Sequence, residues 1–569
     1  MVKFSFEIPQ PNTQYIQISA LFQTTEKLTI LQLPSWRPGR YELGNFAKNV
    51  RNFKVFDSNN VPLEAKKIAK DRWVVETEGL SQITVKYGYY GKDLNAGSTF
   101  LNNEQLYVNP VNCCVYTEES FESEIELILN VPSYWKFAGS LKERNGVYVA
   151  PNFDTLFDSP FICSGQLQHR TYESGGTLFH VWFNGEVKPD WDRLINDFKR
   201  FTDSQIGKFL EFPVAEYHFL NQILPYRAYH GVEHKKSTVI TLGPSYEVFG
   251  DMYKELLGVS SHELYHTWNV KTIRPIEMHP YDFSRENYSR LGYICEGVTT
   301  YMGDLFLLKS GVFNDDQYFF EFNRQLQKHF DNHGRFSYSV ADSSFDTWLD
   351  GYEAGAPGRK VSIYTEGCLL AFVTDVRILR ATGNKAGLDD VMKRLYFDFA
   401  LQGKGVSELD YKTAIEEIAG ESFDAFFDDY INGTRPYESI LTDSLDYLGL
   451  ELAHVPSPRY SEGRLGFKTL IAPDGISVVQ MYPGGPAETA GLMLEDKIVA
   501  VNGFMCNGEL DKWLSYFDDD TKTVLVERKG QLIEFTFPEV NRNFYNLYSV
   551  KRMESPNNLQ VRSYEHWKK

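Results

Sequence analysis

The chain lacks any run of 18 or more apolar residues, so no transmembrane helix is expected. Its start, Met1 to Pro9, reads as a strand and has no long apolar core of a secretory leader. A cytoplasmic protein is therefore expected. Cysteine is sparse: Cys113, Cys114, Cys163, Cys295, Cys368 and Cys506 are scattered without a CxxC pair and read as reduced, packed side chains. Cys295 and Cys368 have no candidate base beside them and are expected to pack helices. Basic residues are short as well, with 58 Lys and Arg against 76 Asp and Glu and a net charge of −18. That balance argues against nucleic acid and against an anionic membrane surface as partners; its plainest consequence is solubility. Internal repeats and low-complexity tracts are missing too.

What is present is length and aromatic mass. The 569 residues suggest three or four domains. The 41 Phe and 35 Tyr are expected to fill sheets and cores. Residues 1–168 alternate polar and apolar positions in short runs, such as Tyr15 to Phe22 and Ile83 to Tyr90, and predict an N-terminal β-sandwich. Asn145-Gly146 between two such runs predicts a tight hairpin. Residues 169–445 predict an α+β catalytic domain. Its helices are expected over Met252 to Asn269, Glu296 to Lys309, Asn314 to Phe330 and Gly367 to Arg380, with Asn314 as an N-cap. Residues 446–540 return to strands after the loop Pro456-Ser457-Pro458, and 541–569 form a C-terminal tail without an assigned place.

The chemistry is concentrated in Ser261-His262-Glu263-Leu264-Tyr265-His266. Positions i and i+4 share one helix face, so both imidazoles of His262 and His266 reach one ion. Glu263, one step round, faces a water on that ion and takes its proton. The alternative is a surface helix with two incidental histidines. A catalytic zinc needs a third protein ligand and one open position. Glu296 opens an apolar helical stretch, a poor place for an unpartnered carboxylate, and supplies that ligand. The competing reading is a helix N-terminal carboxylate stabilised by the dipole.

At this point the chain resembles the glycyl aminopeptidases, a branch of the gluzincin metallopeptidases with a C-terminal PDZ domain. The resemblance is carried by His262 to Lys271 with Arg274-Pro275, by Glu296-Gly297-Val298-Thr299-Thr300-Tyr301, by Ser344 to Trp348, by Tyr364-Thr365-Glu366-Gly367 and by Pro34 to Tyr41. It implies a thermolysin-like catalytic domain, one zinc per chain, peptide substrates with a free N-terminus, and a preference for Gly or Ala first. It also implies two roles. Gly231 and Glu233, in Tyr229-His230-Gly231-Val232-Glu233-His234, match the element whose Glu binds the substrate amine. Tyr364 matches the tyrosine that supports the oxyanion. Two positions depart from the pattern. Thr300 stands where related enzymes have an Asp that orients a zinc histidine, which leaves Asp304 as a substitute, and Glu366 stands where the family has Lys.

Residues 464 to 503 look like part of a PDZ domain. Leu465-Gly466-Phe467 resemble the loop whose backbone N–H groups bind a peptide carboxylate, and Pro483 to Leu492 and Asp496 to Gly503 match the later pattern. Such a module adds a peptide as a strand to a sheet edge, or serves as packing alone. The sequence thus points to a multidomain α+β zinc aminopeptidase. Its rivals are a zinc endopeptidase guided by the PDZ module and a non-catalytic peptide-binding scaffold.

Overall fold

The computed structural model describes residues 1–353, 355–518, 520–538 and 541–569; the domain boundary expected at 540 lies outside them. The chain is a multidomain α+β protein with a β-rich N-terminal part. Strand Val2–Glu7 lies between Ile125–Asn130, parallel to it, and Tyr15–Gln23, antiparallel, inside an eight-stranded sheet. Its alternation sends Val2, Phe4 and Phe6 inward while Lys3 and Glu7 stay exposed. A three-stranded and a four-stranded sheet complete this part, and Phe4, Trp36, Leu101 and Phe153 belong to one core. The hairpin expected at Asn145-Gly146 forms. Lys142–Arg144 pairs with Val147–Ala150, and both turn residues take positive φ, 54° and 82°.

The middle of the chain opens with a five-stranded sheet. Thr177–Asn184, Glu216–Ile223 and Ser237–Gly243 run parallel, with Gln168–Ser174 and Ala228–Glu233 as antiparallel edges on either side. Helix Trp191–Phe209, capped by Asp190, crosses between two of the parallel strands. Four further helices build the bulk: Tyr253–Tyr265, Thr299–Lys309, Asp315–Asp331 and Ile363–Thr382. Asn314 caps the third through a reciprocal capping box with Gln317. The first of the four stops at Tyr265, short of the expected Asn269. The chain turns away there through Val270 at φ 87°, and the Lys271 N–H bonds back to the His266 carbonyl. Cys295 and Cys368 are buried among these helices.

The C-terminal portion is an insertion in a ribbon. Leu450–Pro456 pairs antiparallel with Asn546–Arg552, and between them lies a six-stranded sheet with helices Pro486–Ala490 and Leu510–Tyr516 around its own core. The last residues, the tail left without an assigned place, pack against the helices. Helix Asn558–Trp567 buries Trp567 in the central core, and its indole N–H donates to the Tyr301 hydroxyl at 2.8 Å. Nothing in the local pattern of this stretch signals a distant pocket, so only tertiary packing places it. No helix among the described residues is long and apolar enough to cross a membrane.

Candidate metal centre

The HExxH helix, Tyr253–Tyr265, presents His262 toward a cleft of about 1270 Å³ and places His266 just past its last turn. Glu296 arrives on a turn of π-helix, Tyr293–Val298, which leads into Thr299–Lys309. A π-turn rotates the side chains after it relative to a regular helix and is frequent at functional sites. Close backbone approach fixes both helices. A Cβ on Gly297 would overlap Gly367 of helix Ile363–Thr382, and one on Gly303 would come within 2.9 Å of the His262 Cα. Asn269 ties the turn down, its amide donating to the carbonyl of Ile294 at 2.8 Å and to the Thr299 hydroxyl at 2.9 Å.

The three predicted ligands converge. His262 Nε2 lies 3.0 Å from His266 Nε2, and Glu296 Oε2 lies 3.4 Å from His266 Nε2 and 3.9 Å from His262 Nε2. Zinc bonds of about 2.0–2.1 Å in a tetrahedron put ligand atoms roughly 3.3 Å apart, so this donor set matches such an ion. His266 Nδ1 donates to the Asn269 carbonyl at 3.0 Å, which leaves the Nε2 lone pair facing the centre. Thr299, at 3.4 Å from the same nitrogen, is its second neighbour. Asp304, the substitute expected for that orienting role, bonds to neither histidine among the described residues. Instead it lines the cleft, where burial and then Glu321 push its carboxyl up to about 7.

The electrostatics also call for a cation. Burial, then His266, holds the His262 imidazole well below its ordinary range, so it is neutral and able to ligate. Burial would lower His266 as well, but Glu296, with Glu233 and Glu263 behind it, overrides this and pushes it up to about 10. One buried imidazole thus faces three buried carboxylates. A divalent ion meets that excess of negative charge as a proton does.

Glu263 and Glu233 stand on the open side. Their carboxylates and His266 offer ligand atoms within 4.8 Å of one another. Gly231, on the edge strand Ala228–Glu233, gives Glu263 its room, because a Cβ there would overlap the Glu263 carboxylate. Burial, reinforced by Glu233 and Glu296 and opposed by His266, raises the Glu263 carboxyl well above the usual range, so it can hold a proton. Glu263 Oε2 and Glu233 Oε1 are buried without a hydrogen-bond partner among the described residues. Tyr364, in the first turn of Ile363–Thr382, lies with its hydroxyl 3.4 Å from that of Tyr352. Burial and Glu296 keep both phenols above their ordinary range and hence protonated. Glu366 points elsewhere, pairing with the buried His329 Nδ1 at 2.7 Å.

Sequence reasoning missed several neighbours. Tyr352 lies in a loop without a spacing signature. The N-terminal segment Pro34 to Tyr41 reaches into the site: Gly39 and Arg40 line the cleft, and the Tyr41 hydroxyl donates to Glu296 at 3.0 Å. No periodicity links positions 41 and 296. The segment's own density of Trp, Arg, Gly and Tyr was the available signal.

Two family models match the chain: the peptidase M61 N-terminal domain over residues 3–165 and the M61 glycyl aminopeptidase over residues 255–370. Among solved structures, an aminopeptidase N family protein from Idiomarina loihiensis is 25% identical, with 100% of each chain covered and a TM-score of 0.91. An M1 zinc metallopeptidase variant from Deinococcus radiodurans, bound to a Tyr-Ser-Ala substrate, is 12% identical over 76% of this chain and 94% of its own, at a TM-score of 0.47. Native yeast LTA4 hydrolase is 13% identical over 78% of this chain and 70% of its own, at 0.48. No curated protein matches. With its N-terminal portion and the HExxH-bearing segment matched to M61 family models, the chain is a peptidase similar to the M61 glycyl aminopeptidases.

Proposed function

We propose that this peptidase is a zinc aminopeptidase that removes small N-terminal residues, Gly or Ala, from peptides. The observation that carries the reading is the buried, unpartnered Glu233 Oε1 beside Glu263 and the histidines. A carboxylate buried without a partner is costly. A substrate ammonium satisfies it and fixes the chain end within reach of Glu263. His262, His266 and Glu296 would hold the zinc, which when bound acidifies water and polarises the scissile carbonyl. Glu263 takes the proton of the attacking water and returns it to the leaving amine. Tyr364, kept protonated, donates to the developing oxyanion.

We divide the chain into an N-terminal sandwich (1–168), a thermolysin-like catalytic domain (169–445, completed by the terminal strand and helix) and a PDZ-type insertion. In that insertion Phe467–Ala472 is an edge strand, with Leu470 and Ile471 59% and 58% exposed, so a peptide can add beside it. Gly466 sits at φ 73° between the buried Leu465 and Phe467, although the Leu465 N–H is already taken by the Tyr460 carbonyl at 3.2 Å. The test uses Gly- and Ala-initiated peptides with the first amine free or acetylated, with and without a zinc chelator and zinc add-back. Cleavage of free-amine peptides only, lost on chelation and restored by zinc, is expected. Equal cleavage of acetylated peptides would remove Glu233 from its role and make the enzyme an endopeptidase.

A further inference from the structure

We propose that Tyr41, contributed by the N-terminal domain, is a positioning residue of the metal centre, holding Oε1 of Glu296 so that Oε2 faces the two histidines. The proposal rests on the reading of His262, His266 and Glu296 as the metal site.

Glu296 is 2% exposed, so neither of its oxygens can rely on solvent. Oε1 accepts from the Tyr41 hydroxyl at 3.0 Å, while Oε2 is the oxygen 3.4 and 3.9 Å from the imidazoles. A carboxylate that ligates through one oxygen needs its other oxygen satisfied, or the group swings between binding modes. Tyr41 is the side chain that supplies this bond.

The tyrosine is itself held rigidly. Its ring is 4% exposed and meets Trp348 edge-on at 6.3 Å. Trp36 meets the same Trp348 at 5.1 Å. The strip that carries Tyr41 is pinned to the catalytic domain by the Trp36 indole N–H on the Asp282 carbonyl, at 2.7 Å, and by the Ser35 N–H on the Phe283 carbonyl, also at 2.7 Å. Gly39, at φ 82°, turns the strip over Glu233, and a Cβ at that position would lie 2.5 Å from Glu233 Oε2. The path of the strip therefore leaves Tyr41 little freedom. The metal centre is completed across an interface between two domains, and the N-terminal domain is part of its machinery.

The test is Tyr41→Phe in the full-length chain. It keeps the ring and removes the one hydroxyl. Zinc affinity is read by competition with a chromophoric chelator, and thermal melting is read on the metal-stripped protein. Zinc affinity is expected to fall roughly 10- to 100-fold, with the metal-free melting temperature near that of wild type. Unchanged zinc affinity would overturn the proposal, and so would a lowered metal-free melting temperature with unchanged affinity, since that is the signature of a packing role. If wild-type protein itself takes up no stoichiometric zinc, the metal-site reading fails and the proposal falls with it. Glu42→Gln, a neighbour paired with Arg40 and not with Glu296, serves as the control that leaves zinc affinity in place.

Discussion

Among the described residues, histidine and carboxylate gather with metal-ligand composition in two places, and only one has metal-site geometry. His262, His266 and Glu296 form the first; His180, Glu216 and His218 form the second, on neighbouring strands of the five-stranded sheet. In the first, the imidazole planes meet at 83°, and both Nε2 atoms point at one place. In the second, the rings of His180 and His218 stack 4.4 Å apart at 4°. The lone pairs of parallel rings lie in parallel planes and do not converge. The bonds around the rings differ as well. His266 gives its second nitrogen to a backbone carbonyl and keeps the first for the centre. His218 Nδ1 instead accepts from the Trp182 indole at 3.3 Å, which leaves the proton on its other nitrogen. Composition brings candidates together; ring orientation and the bond on the far nitrogen decide whether they ligate.

The strongest way to break this contrast is by substitution. His266→Ala or Glu296→Ala is expected to bring peptidase activity down to background, whereas His180→Gln with His218→Gln leaves kcat/KM within a few-fold of wild type. Peptide hydrolysis assays on the purified variants check both. A comparable loss in the second pair would mean that it too serves the reaction.

Glu263→Gln comes next in size. Its amide neither takes nor returns a proton, so kcat is expected to fall by about 10³, within the usual contribution of general acid–base catalysis, while zinc stays bound. The control in the sheet is Glu216→Gln, which should leave kcat unchanged. Steady-state kinetics with metal analysis on the same samples decides between them, and loss of zinc from Glu263→Gln would contradict its place outside the ligand set.

The smallest expected effect concerns acid. Burial holds His169, His180 and His218 below their ordinary range, His169 down to about 4. Lys136 and Arg170 push His169 the same way, while Glu216 opposes the shift at His180. Groups with a lowered folded-state pKa favour the fold above their unfolded value, about 6.5. They lose that contribution as the pH falls toward the folded value. Melting temperature in chelator should therefore drop by a few degrees between pH 7.5 and 5, and His169→Gln with His180→Gln should flatten that slope. An unchanged slope would show that these imidazoles do not couple to stability.

Much of the centre was legible because its logic is local. The i, i+4 spacing of His262 and His266, and an unpaired carboxylate opening an apolar helix at Glu296, are statements about single helices. The capping box at Asn314 and the turn at Asn145-Gly146 are local in the same sense. What stayed hidden depends on contacts across long sequence separations. Tyr41 meets Glu296 across 255 positions, and Trp567 reaches Tyr301 across 266. The orienting partner of a zinc histidine was sought one turn beyond Thr300, at Asp304. For His266 the partner is the Asn269 carbonyl, a backbone atom freed from helical bonding because the HExxH helix ends early. Side-chain patterns carry no record of such an atom.

The most direct test of the account counts metal. Elemental analysis of the protein after dialysis, alongside the Glu296→Ala variant and the His180→Gln, His218→Gln variant, should give one zinc per chain in wild type, one in the sheet variant and none in Glu296→Ala. Two per chain in wild type, falling to one in the sheet variant, or zinc retained in full by Glu296→Ala, would contradict it.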